Sequence, residues 1–186
     1  MRIIGGRSRG LKLAEVGAGD AAAHLRPTSD RVREAIFNLL VNGGYGAPLQ
    51  GARVLDLFAG TGALGLEALS RGAAEVTFVE NGKISLGLLA RNIALMRAEA
   101  AATVLRRDVR GIGANPGPGF DVVFLDPPYS QGMGEIAMQA AVTGGWLAPQ
   151  ALVIWEERAA PVLPEGFTLE DQRKYGDTLV TIARAA

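Results

Sequence analysis

Two stretches of the chain carry residue types that could do chemistry. In the first, residues 53–65 read Arg-Val-Leu-Asp-Leu-Phe-Ala-Gly-Thr-Gly-Ala-Leu-Gly. The apolar run Val54 to Phe58 gives way to glycines and then to helix-forming residues. That order makes a strand, a tight turn and a helix N-terminus, the recurring way of cradling a nucleotide-like cofactor. Gly60, Gly62 and Gly65 have G-x-G-x-x-G spacing, and Glu80 lies 20 residues after Gly60. By spacing alone this suggests NAD. Asp56 argues otherwise. It sits inside the strand, where its carboxylate would repel a pyrophosphate and attract a cation such as the ammonium or sulfonium of S-adenosylmethionine. The second stretch, Phe120 to Leu125, is another apolar run, and it ends in Asp126-Pro127-Pro128-Tyr129. Two prolines neither continue a ladder nor start a helix interior, so the chain turns stiffly there. A carboxylate, a fixed carbonyl and an aromatic ring then stand at a strand end. That set can hydrogen-bond a planar amino group and stack on its ring.

Taken together, the two stretches resemble the class I methyltransferases that modify exocyclic amino groups of nucleobases. Composition is compatible. The chain has 186 residues, 48% of them hydrophobic, enough for one compact domain with an ample core. No apolar run approaches the length of a membrane span, and the N-terminus lacks the apolar region of a signal peptide. With no cysteine and one histidine, His24, disulfides, thiolate zinc sites and a histidine-based triad are not expected. The expectation is a cytoplasmic, monomeric protein without a metal and without a membrane partner. Formal net charge is zero, yet residues 1–33 hold seven Arg or Lys against three acids. A local basic surface of that kind can meet phosphates.

These residues must be positioned by the elements around them. Residues 1–16 read as a β-hairpin whose glycine-flanked tip carries Arg7 and Arg9, with Lys12 following. Residues 17–23 read as a connection, so that residues 1–24 form an extension of a methyltransferase domain over 25–186. Thr28 or Asp30 caps a helix in which Val32, Ala35, Ile36, Leu39 and Leu40 form an apolar stripe, ended by Asn42-Gly43-Gly44. Arg26, Arg31 and Arg33 near its start are expected to be solvated or paired with Glu34, with RNA or cofactor contact as the alternative. From residue 53 strands and helices alternate. Strands are predicted at 54–58, 75–79, 103–105, 120–125 and 152–155, and helices at 63–71, 83–96 and 135–142. Ile84, Leu88, Ile93 and Leu95 are the expected apolar set of the second of these helices. Residues 168–174 and 178–183 form a closing hairpin around Tyr175-Gly176-Asp177. Alternation of this kind predicts a mostly parallel sheet with helices on both faces.

By this point the match to one family runs nearly end to end. The chain resembles the RsmD-type methyltransferases, which make N2-methylguanosine in bacterial 16S ribosomal RNA. The resemblance is carried by Arg2 to Gly6 with Gly10 to Leu13, by Leu25 to Thr28 with Arg31 to Glu34, and by Leu55 to Gly62. Gly65 to Ala73, Asp126 to Tyr129 and Tyr175-Gly176 continue it. It implies an α/β, Rossmann-like class I methyltransferase fold. The mostly parallel seven-stranded sheet would end in a C-terminal antiparallel hairpin, and the N-terminal β-hairpin would be an extension. It also implies S-adenosylmethionine as cofactor and 16S rRNA, within a 30S subunit or assembly intermediate, as partner. The position usual for the family is nucleotide 966 in small-subunit rRNA numbering.

On that basis Asp56, Gly60 and Gly62, with Phe58 beside them, are assigned to the methionine end of the cofactor. Glu80 is assigned to the ribose hydroxyls, Asp108 to the adenine amino group and Asn81 to the adenosine pocket. Glu80 could instead be a helix N-terminal acid, and Asp108 could pair with Arg106 or Arg107. Asp126 and the Pro127 carbonyl are expected to accept hydrogen bonds from the guanine N2 amino group, with Tyr129 stacking on the base. Arg7, Arg9, Lys12 and Arg26 are the candidate RNA contacts. Met96, Met133, Met138, Trp146 and Trp155 are expected to pack. Two other activities share part of the pattern. A DNA adenine-N6 or cytosine-N4 methyltransferase shares Asp126 to Tyr129, although nothing here resembles a target-recognition domain. An NAD-binding oxidoreductase explains the glycines and Glu80 but leaves Asp56 and Asp126 to Tyr129 without roles. A ligand-free RNA-binding module on the same fold is a third.

Overall fold

The computed structural model describes residues 1–15, 30–128 and 132–186. Seven strands form one sheet in the order β3-β2-β1-β4-β5-β7-β6. Strands β1 (Arg53–Asp56), β2 (Glu75–Glu80), β3 (Ala102–Arg106), β4 (Phe120–Leu125) and β5 (Leu147–Glu157) are parallel, and β7 (Thr178–Arg184) runs antiparallel to β5 and to β6 (Thr168–Tyr175). The apolar runs at 54–55 and 122–125 are central strands covered on both faces, which is why they do not alternate.

Helices α1 (Asp30–Asn42), α2 (Ala63–Ser70) and α3 (Lys83–Met96) precede and link the first strands, and α4 (Met133–Thr143) links β4 to β5. Successive side chains of a strand point to opposite faces. Val54, Val122, Phe124 and Ile154 therefore share one core with Ile36, Phe37 and Leu40 of α1 and Leu66 and Leu69 of α2. Leu55, Val123, Leu125 and Trp155 share the other with Ala137, Met138 and Ala141 of α4. After β1 the chain builds outward through β2 and β3, then returns to lay β4 on the opposite side of β1. A doubly wound sheet opens a crevice at such a switch point, beyond the carboxyl ends of the strands. Asp56 ends β1 and Asp126 follows β4, so the two acids stand on either side of it.

Strand and helix positions agree with the sequence pattern more closely than the buried faces do. The stripe that α1 buries is Arg33, Ile36, Phe37 and Leu40; Val32, Ala35 and Leu39 are only half-buried. Arg33 is not solvated. It is fully buried, and its guanidinium donates to the Arg2 carbonyl and, at 2.9 Å, to Asp30. On α3 the buried residues are Ser85, Leu89, Asn92 and Ile93, while the expected Ile84 and Leu95 are 41% and 45% exposed. β5 is longer than 152–155 because a bulge carries it past Pro149. Its register against β4 shifts between Phe120 and Val122, and Gln150 takes φ 63°.

The N-terminal segment is paired by a single antiparallel bridge, Arg2 with Lys12. Ile3, Gly10 and Leu13 N–H groups donate to carbonyls across the segment, and several other amides turn to α2. Ile4 and Gly5 N–H groups donate to the Glu67 carboxylate, each at 2.8 Å. Arg7 N–H donates to the Ser70 carbonyl at 2.8 Å and Ser8 N–H to Ser70 Oγ at 2.9 Å. A side chain at Gly6 (φ 74°) would place its Cβ 1.9 Å from the Ser70 carbonyl oxygen, so only glycine fits. Ile3 and Leu13 enter the core shared with α1 and α2. Among the described residues no helix is long and apolar enough to cross a membrane.

Candidate active site

The loop after β1 is shaped by two glycines in the left-handed region, Gly60 (φ 53°) and Gly62 (φ 85°). Gly62 N–H donates to the Ala59 carbonyl at 2.7 Å, and Ala59 N–H reaches Val79 O at 3.1 Å, which ties the loop to β2. A Cβ on Gly62 would lie 2.5 Å from Leu89, and one on Gly65 2.4 Å from the Phe78 ring. The third glycine therefore serves helix–strand packing, and the first two serve the turn. Phe58 is half-buried and packs against the α4-side core.

Asp56 is 1% exposed. Its Oδ2 accepts from Gly65 N–H at 3.1 Å, while Oδ1 is buried with no hydrogen-bond partner among the described residues. Burial is the main force on this group and raises its pKa to about 7. The Gly65 N–H opposes the rise, and the negative charges of Asp126 and Glu80 add to it. Three acids thus act on one another at the same end of the sheet. A cation brought to Asp56 Oδ1 would relieve both the orphaned acceptor and the repulsion. The amino group of S-adenosylmethionine fits that demand; a pyrophosphate does not.

Glu80 is held by backbone. Its Oε2 accepts from Gly60 N–H at 2.8 Å, and its Oε1 from Asn81 and Gly82 N–H at 2.9 and 2.7 Å. It braces the glycine loop as well as ending β2 beside it. Asp108 follows β3 and begins a short 3₁₀ turn at Val109–Gly111. Its ion-pair partner is Arg110, at 2.6 Å, and not Arg106 or Arg107. Arg107 donates instead to the Ile112 carbonyl. Hydrogen bonds from the Arg110 side chain, then from its backbone N–H, hold the Asp108 carboxyl down at about 2. Asn81 Nδ2 reaches Asp108 at 3.3 Å. Asp56, Glu80, Asn81 and Asp108 therefore follow one another along the carboxyl ends of β1, β2 and β3.

Across the crevice Asp126 is half-buried, Pro127 buried and Pro128 exposed. Leu125 pairs with Trp155 of β5, whose buried Nε1 has no hydrogen-bond partner among the described residues. Gly134, in the first turn of α4, lies flat on that indole. Tyr129, Arg26, Thr28, His24 and the 17–23 connection lie outside the described residues. Arg7, Arg9 and Lys12 are exposed on the N-terminal segment.

A family model described as "Conserved hypothetical protein 95" matches residues 1–184. The chain is 39% identical over 180 residues to the ribosomal RNA small subunit methyltransferase D of Escherichia coli K12, an alignment covering 95% of this chain and 85% of that protein. The chain belongs to the RsmD family. Its identity to the Haemophilus influenzae ribosomal RNA small subunit methyltransferase D is 38%, covering 95% of this chain and 89% of that one. The solved structure of yhhF from Escherichia coli superposes with a TM-score of 0.83 at 34% identity, over 100% of this chain and 97% of that one.

For this RsmD-family chain the motif residues found by sequence fall into two groups on opposite sides of the switch point. Sequence reasoning missed the residues that hold the N-terminal segment and the glycine loop in place: Glu67, Ser70 and Asn92. Glu67 and Arg71 stand four apart on α2 and pair at 2.7 Å, which was a readable signal. Asn92 gave no signal beyond being polar on a helix otherwise rich in leucine.

Proposed function

We propose that this chain transfers a methyl group from S-adenosylmethionine to the exocyclic N2 amino group of a guanine in small-subunit rRNA. The target would be nucleotide 966, and the enzyme would act as a cytoplasmic monomer on a 30S subunit or assembly intermediate. The observation that carries the reading is Asp56 Oδ1, a buried acceptor with no hydrogen-bond partner among the described residues, facing the switch point opposite Asp126. The names of the curated relatives support an rRNA substrate.

The cofactor, when bound, supplies an electrophilic methyl group on a sulfonium. The chain's own residues do the rest. Asp56 receives the cationic amino group, and the Gly60–Gly62 turn leaves room for close approach of the backbone. Glu80 and Asp108 line the adenosine side. Guanine N2 is a poor nucleophile because its lone pair is delocalised into the ring. The Asp126 carboxylate and the Pro127 carbonyl accept its two hydrogens and favour a tetrahedral nitrogen with a localised pair. Positive charge developing on that nitrogen is offset by Asp126, which then takes the proton directly or through water. Rigid positioning by two prolines supplies more of the rate than basicity does. Tyr129 stacks on the base, which must first leave any helix it belongs to.

The test is methyl transfer from labelled S-adenosylmethionine to 30S subunits lacking the modification, with duplex DNA in parallel and the nucleosides identified by mass spectrometry. N2-methylguanosine from RNA alone is expected; methylated adenine or cytosine from DNA would overturn the substrate. Asp126→Ala is expected to abolish transfer, a loss beyond about a hundredfold, while still binding S-adenosylhomocysteine. Loss of cofactor binding in that variant would mean the two groups of residues are wrongly divided.

A further inference from the structure

Asn92 is fully buried on the inward face of α3. Its side-chain amide makes three hydrogen bonds, all to main chain. Nδ2 donates to the Thr61 carbonyl at 2.9 Å and to the Ala14 carbonyl at 3.0 Å, and Oδ1 accepts from Ala14 N–H at 2.6 Å. Thr61 is the middle residue of the Gly60-Thr61-Gly62 turn. Ala14 belongs to the N-terminal segment, whose backbone pairing with itself ends at Leu13 N–H to Met1 O; beyond it the Met1 amino group meets Glu15 at 2.9 Å. One amide therefore joins two pieces of backbone that are far apart in sequence, and it does so with nearly its full bonding capacity.

The turn depends on such contacts. Glycines on both sides of Thr61 leave its shape weakly determined by local preference. It is fixed by Glu80 on Gly60 N–H, by Ala59 O on Gly62 N–H, and by Asn92 on Thr61 O. The first two holds come from the turn's immediate surroundings. The third also carries the N-terminal segment, and a further contact runs the same way, from Thr61 Oγ1 to Met1 Sδ at 3.6 Å.

We propose that Asn92 is a positioning residue that couples the cofactor loop to the N-terminal segment. Order in the loop favours docking of residues 11–15, and docking of that segment raises cofactor affinity; the coupling is reciprocal because it is one free energy. This rests on reading Gly60–Gly62 as the cofactor loop. In consequence RNA held through the N-terminal segment and cofactor held through the loop reinforce each other.

The test is hydrogen exchange of residues 11–15 with and without saturating S-adenosylhomocysteine, together with calorimetry of its binding. In the wild type the ligand is expected to slow exchange at 11–15. In Asn92→Ala, which removes all three bonds, it binds about tenfold more weakly, the worth of the one buried hydrogen bond given to the loop, and no longer slows exchange there even at saturation. KM for S-adenosylmethionine rises by a similar factor while kcat is retained, a split that general loss of structure would not give. Ala14→Pro, which changes no residue of α3 or the loop, replaces the donor to Asn92 Oδ1 by a ring methylene that cannot approach it at 2.6 Å, so residue 14 is undocked and the ligand is expected to weaken in the same direction. Equal slowing at 11–15 in wild type and Asn92→Ala, or unchanged affinity in both variants, overturns the proposal and leaves the cofactor reading intact. No binding heat with wild-type protein overturns the cofactor reading, and this proposal with it.

Discussion

Two acids at the carboxyl ends of β1 and β3 have been pushed in opposite directions, and the contrast says what each is for. Asp108 is surrounded by donors from Arg110 and titrates at about 2. It is a fixed anion. Asp56 is buried, has a single amide on one oxygen, and titrates at about 7. Its folded pKa lies above the ordinary 3.8, so between those values the folded chain binds a proton that the unfolded chain does not. Stability of the ligand-free protein is therefore expected to fall as pH rises from about 4 through about 7. Cofactor affinity should move the other way, because only the ionised carboxylate pairs with an ammonium. Between pH 6 and pH 8 the ionised fraction of such a group rises about tenfold, and S-adenosylhomocysteine affinity should rise with it and then level off. Calorimetry across that range checks this. Asp56→Asn should bind weakly and show no such rise; a wild-type affinity flat in pH would mean that Asp56 does not face the ligand's charge.

At the scale of elements, positions were legible and inward faces only in part. β2, α3 and β4 lie where periodicity and turn residues put them, and the chemistry of Asp56 and Asp126 was readable because each sits in a contiguous motif. The buried faces of α1 and α3 include the expected Ile36, Leu40 and Ile93, but the rest escaped because the helices also carry Arg33, Ser85 and Asn92 inward. A polar residue is buried only when it finds partners. Those of Arg33 and Asn92 include Arg2, Ala14 and Thr61, too distant in the chain for any local pattern to reveal. The Pro149 bulge hid half of β5 for the related reason that its pairing is supplied by neighbouring strands. The same logic makes α2 a dock. Glu67 is fully buried and satisfies Ile4 N–H, Gly5 N–H and Arg71 Nε at once. Removing it strands three donors. Glu67→Ala is expected to cost about 3 kcal/mol in denaturant unfolding, and Glu67→Gln, which keeps an acceptor oxygen, about 1 kcal/mol. Equal losses in the two variants would mean that packing, and not acceptance of those donors, is what Glu67 provides.

At the scale of the whole molecule, charge and geometry together limit how RNA can be held. Net charge is zero, so there is no overall field to draw in a polyanion, and the excess of cations lies within residues 1–33. Arg7 and Ser8 dock by their backbone at Ser70, the last residue of α2, while the glycine loop opens the first turn of the same helix. An eight-residue helix is about 12 Å long. The basic tip and the glycine loop are thus separated by roughly the length of α2. On the reading proposed here, one nucleotide cannot meet both, and the enzyme must hold a folded piece of RNA whose phosphates lie on the tip while the target base enters beside Asp126. The tip then acts on affinity for the RNA as a whole and not on the chemistry of the base. Replacing Arg7 and Arg9 together by alanine should weaken binding to 30S subunits. It should also lower the slope of log affinity against log salt by about 2, if each arginine neutralises one phosphate. S-adenosylhomocysteine affinity, measured on the protein alone, should be unchanged. A salt slope equal to that of the wild type would place the RNA on another surface, even if the base still reaches Asp126.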